Sequence, residues 1–217
     1  MNKIYLIRHG ESEMNAYQDS LGAEDKVLLG RCNWSGLSSK GVGQAKGVGN
    51  YFMKQGIKFD DISSSSAVRA QQTAQYALEQ MIDRDCLHTT LNGIKISERL
   101  LERSWGNWDF QNKSHPDIIA FQKLLETDPV AFMEYRPPMG ESNKDVANRV
   151  RGFIEENVLD YRQAAVFLHR GPICALLIEL FDLNPSGVIG LWMGPGSVST
   201  ITYDKGWKEY ETEIFTP

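Results

Sequence analysis

Two imidazoles, two guanidiniums and one carboxylate are the side chains in this sequence whose types suit phosphoryl chemistry. Arg8 and His9 stand together near the start, Arg69 lies in the middle, and His169 lies far downstream beside Arg170. Guanidiniums offer forked donors to nonbridging phosphoryl oxygens and balance the charge that grows in the transition state. A neutral imidazole can attack phosphorus, provided its other ring N–H is held by a carbonyl or carboxylate that fixes the tautomer. Departure of the leaving group needs a proton. A glutamate made less acidic by burial or by nearby phosphate charge can give it, then take one from water in a second step.

The elements that must position this set are legible around it. Ile4-Tyr5-Leu6-Ile7 is an apolar run ending in Arg8-His9-Gly10-Glu11-Ser12, with Asn15 just beyond; Ala165-Val166-Phe167-Leu168 ends likewise in His169-Arg170-Gly171. Both read as buried strands presenting a histidine at the carboxyl end, where open α/β sheets bind ligands. Parallel and adjacent, they would bring His9 and His169 together. A short strand over Phe59–Ser64 precedes a helix from Ala67 to about Met81, with Arg69 in its first turn. A cation there opposes the helix dipole. An anion site built with the serine-rich turn and a solvated surface Arg are both admitted by position alone.

Other elements follow the usual signals. A helix over about Gly41–Gln55 has Ser38 or Ser39 as N-cap and Gly56 as stop. Gly93–Ser97 reads as a strand, and Pro116–Glu126 as a helix within an excursion from the sheet that could cap the site. Ser142-Asn143-Lys144-Asp145 has the capping-box form and should open a helix with Val146, Val150, Phe153, Ile154 and Val158 inward. After Gly171-Pro172 comes an apolar helix to Phe181 whose N-terminus points at His169. Ser197–Tyr203 and Trp207–Phe215 form a terminal hairpin. Between Ala16 and Gly36 no period is visible. That stretch reads as a long loop, a wall or lid over His9 with Trp34 as its anchor.

The 217 residues suit one α/β domain, 1–217, with a cap-like insertion at about 100–141. A net charge of −5 weighs against a nucleic-acid or anionic-membrane surface, so any phosphate site must be a concentrated one. No stretch is long and apolar enough to span a bilayer and no signal-peptide pattern opens the chain, which gives the cytoplasm as the expected location. Cys32, Cys86 and Cys174 are odd in number and show no C-x-x-C pair, so they read as free thiols, Cys174 on a buried helix and the other two near the surface.

Five segments together carry a resemblance: Arg8-His9-Gly10-Glu11-Ser12 with Asn15, Ser66-Ala67-Val68-Arg69 through Ala74, Leu100-Leu101-Glu102-Arg103-Ser104-Trp105-Gly106, Gly140-Glu141-Ser142, and Leu168-His169. In order and spacing, over nearly the whole chain, they resemble the histidine phosphatase superfamily, also called the phosphoglycerate mutase-like family. The resemblance implies a three-layer α/β/α fold with a mostly parallel sheet and no metal. It makes His9 the nucleophile that becomes phosphohistidine, lines the phosphate pocket with Arg8, Arg69 and His169, and makes Glu102 the proton donor. Asn15 is implied as a further phosphate contact and Gly30 as part of the substrate site. Arg103 follows the acid as in the mutases, which suggests a substrate-carboxylate contact; a solvated Arg is the alternative. His88 and His115 match no motif and read as surface or loop histidines.

Three departures stand out. Arg170 occupies the position where the family usually has glycine, with Gly171 one later; the loop from Asn15 to Gly30 is long; and Leu29 replaces a small hydroxyl residue. Arg170 is expected either to reach over the site as a third guanidinium or to pair with Glu11 or Glu13. The turn Arg136-Pro137-Pro138-Met139-Gly140-Glu141-Ser142 resembles the phosphatase branch, and the cap shows no adjacent pair of arginines, a mutase feature. The expected activity is hydrolysis of a small phosphorylated metabolite by a monomer or homodimer. Mutase-type transfer, the one case in which 2,3-bisphosphoglycerate would be a cofactor, is the alternative, and a non-catalytic phospho-ligand module on the same fold is a third reading.

Overall fold

The computed structural model describes residues 1–82, 93–190 and 193–213. Cys86, His88 and the end of the expected hairpin at Phe215 lie outside the described residues.

Six strands form one mixed sheet in the order β3-β2-β4-β1-β5-β6. They are β1 (Asn2–Arg8), β2 (Asp61–Ser65), β3 (Lys95–Ser97), β4 (Gln163–Leu168), β5 (Val198–Tyr203) and β6 (Trp207–Glu213). The first four run parallel, and β5 and β6 are antiparallel additions at one edge. Alternation within single strands shows the layering. Ile4 and Leu6 of β1 join Ala164, Val166 and Leu168 of β4 in one core, while Tyr5, Ile7, Ala165 and Phe167 enter the other. Both central strands are therefore covered on both faces, which explains why they read as unbroken apolar runs.

Helices α2 (Ser39–Lys54) and α3 (Val68–Ile82) pack on one face through Val48, Phe52, Ala74, Ala77 and Met81. The other face carries α6 (Asn143–Asn157) and α7 (Arg170–Phe181), with α4 (Pro116–Thr127), α5 (Pro129–Glu134) and α8 (Pro185–Gly190) beyond them. The cap of α6 is the expected box: Ser142 Oγ accepts from Asp145 N at 3.0 Å, and Asp145 Oδ2 accepts from Ser142 N at 2.8 Å. Ser38 caps α2. This is α/β architecture of the three-layer kind.

The stretch from Ala16 departs from the loop expected there. A helix, α1 (Glu13–Ser20), forms under Ser12 as N-cap, with Asn15 Oδ1 accepting from Ser12 N at 3.2 Å. Its faces are nearly all polar, so no apolar stripe marked it; its stability comes from the cap and from Gln18, buried on one side. Trp34 is not the anchor of the following segment, being 66% exposed. That work falls to the fully buried Ser35, which accepts from Met14 N, and to Gln72, which accepts from Leu37 N at 2.7 Å. The segment from Lys26 to Leu28 instead pairs with residues 110–113.

Candidate active site

His9 and His169 leave the carboxyl ends of β1 and β4, whose register pairs Arg8 with Leu168. Their rings meet edge to face with centroids 5.0 Å apart. The turn after His9 is held very close to α2. A Cβ on Gly10 would lie 2.5 Å from the Gly41 carbonyl oxygen, and one on Gly41 would lie 2.0 Å from that of Glu11. Gly10 N donates to Thr73 Oγ1 and Glu11 N to Gln44 Oε1, so side chains of α3 and α2 fix the turn.

Within this frame the tautomer of His9 follows from its neighbours. Nδ1 lies 2.6 Å from the carbonyl oxygen of Gly10, and a carbonyl can only accept, so Nδ1 carries the proton. Nε2 is then a lone pair, and it accepts from Arg69 Nε at 3.2 Å. Burial first, then the charges of Arg69 and Arg8, hold the imidazole pKa well below its usual range against the pull of the Gly10 carbonyl. His169 is likewise held low by burial, then by Arg69 and His9. Its Nδ1 accepts from Arg69 Nη2 at 3.2 Å, which leaves Nε2–H to donate to Ser65 Oγ at 2.9 Å. The expected serine-rich turn is thus mostly strand, and Ser65, the last residue of β2, reaches the site.

These shifts have a sign that can be tested. Both histidines have native pKa values below the unfolded value of about 6.5, so below that pH the unfolded chain binds protons that the native chain does not. Their stabilising contribution is complete above about pH 6.5 and is lost as pH falls toward the native values. Denaturant midpoints should therefore drop on acidification through that range. The acid limb of kcat/KM, corrected for ionisation of the ester, should show no inflection near about pH 6.5. An inflection there would mean that His9 titrates as a free imidazole.

Arg69, 4% exposed, also donates to the carbonyls of Cys32 (2.7 Å) and Arg31 (3.3 Å). These acceptors, and the nearby charge of Glu102, compensate its position at the start of α3, and they exclude the solvated-surface alternative. Arg8 donates to the Met193 carbonyl, and its pKa is lowered to about 10 by burial and then by Arg170. Glu102 accepts from Arg103 N at 2.8 Å through Oε1 and from Gly171 N at 3.4 Å through Oε2. A Cβ on Gly171 would lie 2.2 Å from Glu102 Oε1. The glycine displaced by one position therefore makes room for the carboxyl group.

The remaining expected residues take separate places. Asn15 lines the same cavity as Arg8, Glu102 and Arg170, with its Oδ1 committed to the α1 cap. Gly30 abuts Asp109, whose Oδ1 would lie 1.8 Å from an added Cβ; the residue reaching the cavity is Leu29. Arg103 is not solvated. It is 3% exposed, donates to Glu141 O (2.7 Å), Asn143 Oδ1 (3.0 Å) and Tyr135 O (3.2 Å), and lies over the ring of Trp105 at 4.1 Å. Arg170 Nη2 donates to the Ile189 carbonyl at 2.6 Å, while Glu11 is engaged by Ser38 and Lys40 and Glu13 is exposed. His115 caps α4 at the surface, as expected of a residue outside the motifs. Cys32 is half-buried and Cys174 is buried on α7.

One organising residue was not anticipated. Glu141 accepts from Arg149 Nε at 2.8 Å, Ser104 N at 2.9 Å and Arg31 Nη2 at 3.2 Å, joining the start of α6 to the segment that carries Glu102. Burial opposes its ionisation, yet hydrogen bonds from Arg149 and Ser104 and the charges of Arg149 and Arg31 hold its pKa below the usual value. The only sequence signal for this role was its place in Gly140-Glu141-Ser142.

The histidine phosphatase superfamily (branch 1) profile matches residues 4–213. The chain belongs to this superfamily. It is 30% identical over 220 residues to a 2,3-bisphosphoglycerate-dependent phosphoglycerate mutase of Bartonella tribocorum, covering 99% of this chain and 98% of that protein. It is 29% identical to a phosphoglycerate mutase of Schizosaccharomyces pombe, over 98% and 95% of the two chains. In fold it is similar to a mycobacterial glucosyl-3-phosphoglycerate phosphatase, with TM-score 0.72 and 21% identity over 99% of this chain and 98% of that one. A phosphoserine phosphatase from Entamoeba histolytica, in complex with phosphoserine, superposes with TM-score 0.70 at 22% identity over 99% and 96%.

Proposed function

We propose that the protein is a phosphomonoester hydrolase that works through phosphohistidine at His9. The observation that carries this reading is the locked neutral imidazole, Nδ1–H on the Gly10 carbonyl and the Nε2 lone pair under Arg69. A phosphoryl group entering beside Arg8, Arg69 and His169 would take over the donor that Arg69 now gives to Nε2. Nε2 then bonds to phosphorus as the ester P–O bond breaks, with Glu102 as the acid that delivers a proton to the leaving oxygen. In the second step water attacks phosphorus, Glu102 takes its proton, and the P–N bond breaks to return neutral His9 and free phosphate. Asn15 and Arg170 complete the pocket rim in this reading, and residues of about 100–141 form a cap on a single domain.

Phosphatase is favoured over mutase by the state of Arg103. Three of the five N–H donors of its guanidinium, one on each nitrogen, already have protein acceptors, so turning it toward a substrate carboxylate would break the bonds that join the cap to α6. The mutase reading keeps one argument, the identity to the Bartonella and Schizosaccharomyces proteins. A panel of phosphate esters including 3-phosphoglycerate, run with and without 2,3-bisphosphoglycerate, separates the two. Phosphate release without dependence on the bisphosphate is the expected result. Interconversion of phosphoglycerates faster than phosphate release, and only with 2,3-bisphosphoglycerate present, would make the protein a mutase.

A further inference from the structure

The cavity that opens in front of Arg8, Glu102 and Arg170 is far larger than a phosphoryl group and a short hydroxy acid require. Its volume is about 1110 Å³. That lies just above the range, about 300–1,000 Å³, of pockets that take drug-sized molecules. One side of it is apolar. Ala175 and Ile178 of α7 face it, with Ile189 of α8, Phe132 of α5, and Trp105 and Leu28 from the segments between. Beyond the first turn of α7 the residues that line the cavity are Cys174, Ala175 and Ile178, none of which carries a charged or strongly polar side chain.

The cavity is also lined by charges: Arg8, Glu102 and Arg170 at the reacting end, and Glu11, Asp19, Lys26, Lys40 and Lys113 elsewhere. Arg170 does not project freely across the apolar side, because its bond to the Ile189 carbonyl ties it to α8. Arg103, which also lines the cavity, gives three of its N–H donors to Glu141, Asn143 and Tyr135. The apolar side belongs to the same cavity as Arg8, Glu102 and Arg170, while His9, Arg69 and His169 are buried and do not themselves line it.

Resting on the phosphatase reading above, we infer that the preferred substrate is a phosphomonoester whose leaving group carries an extended alkyl or aromatic body, seated against Ala175, Ile178, Ile189 and Phe132. A short polar phosphorylated acid would leave this side filled with water in contact with apolar carbon. A longer apolar body removes that contact, and each methylene buried favours binding by about fourfold at most. The reaction itself is the one already written: the ester P–O bond breaks, Glu102 supplies the proton, and the apolar alcohol leaves.

Binding and turnover test this separately. Straight-chain alkylphosphonates from methyl to hexyl bind without reacting, and their Kd should fall by about two- to fourfold for each added methylene until the arm is filled. Values of kcat/KM for the matching alkyl phosphates should rise in parallel. The substitutions Ile189→Ser and Ala175→Leu should each flatten the slope, the first by making the wall polar and the second by filling it. Circular dichroism would confirm that both variants are folded, and if either is not, the slope of the wild type still decides. Turnover with no dependence of Kd or kcat/KM on chain length would overturn the apolar seat and leave the phosphatase reading intact. A steep binding slope without turnover of any ester would preserve the seat and overturn the phosphatase reading.

Discussion

His9→Ala should abolish the phosphoenzyme and lower kcat/KM by on the order of 10⁴-fold or more, the scale on which an enzyme loses activity with its nucleophile. Wild-type protein quenched during turnover of a labelled ester should carry acid-labile, base-stable phosphate, and the variant none. The loss should be chemical and not structural. His9 is 5% exposed, but its side-chain bonds run to the adjacent carbonyl and to Arg69, and Arg69 keeps acceptors on Arg31 and Cys32. The truncation leaves a small cavity lined by polar groups that water can fill, so the variant should fold. His169→Ala is the informative companion. It removes one of two acceptors of Arg69 Nη2, the Arg31 carbonyl being the other, and the ring N–H that donates to Ser65 Oγ, so phosphoenzyme should still form, but slowly. Label trapped in His9→Ala at the wild-type level would place the nucleophile elsewhere.

The parts of this site visible in the sequence are those in which one residue answers to one local signal. Four consecutive apolar residues before Arg8-His9 could only be a strand buried on both faces, and the structure splits them between the two cores. Ser142 with Asp145 was readable because a capping box is a local contact. The parts that were not readable depend on distant partners. Ser12 and Asn15 form the same kind of box, but the shorter Asn takes the place of the usual Glu or Gln and no apolar stripe follows, so α1 looked like a loop. Arg103 read as a contact or as solvated because nothing local shows that Glu141, Asn143 and Tyr135 would converge on it. Arg170 looked like a lost glycine. Only the fold shows that the space has moved one residue along, to where Gly171 meets the carboxyl of Glu102.

That contact makes the effect of Glu102→Gln specific in form. Esters with poor leaving groups should lose about 10²–10⁴-fold in kcat, the usual range for a general acid, because an alkoxide cannot depart without a proton. Activated aryl phosphates, whose phenolate leaves unaided, should lose far less in the first step. Their phosphoenzyme should then accumulate as a burst, since the same residue must take the proton of the attacking water. Glutamine keeps one carbonyl oxygen for Arg103 N or Gly171 N, so the fold should survive, and thermal melting can check that. The substitution Gly171→Ala tests the geometry independently of the carboxyl's chemistry. Its Cβ would lie 2.2 Å from Glu102 Oε1 and must push the group aside, so it should reproduce the same leaving-group dependence while His9 still takes up label. Equal losses on alkyl and aryl esters in Glu102→Gln would show that Glu102 holds the Arg103–Gly171 corner together and moves no proton. A normal profile in Gly171→Ala would show that the proton is delivered from a position this contact does not control.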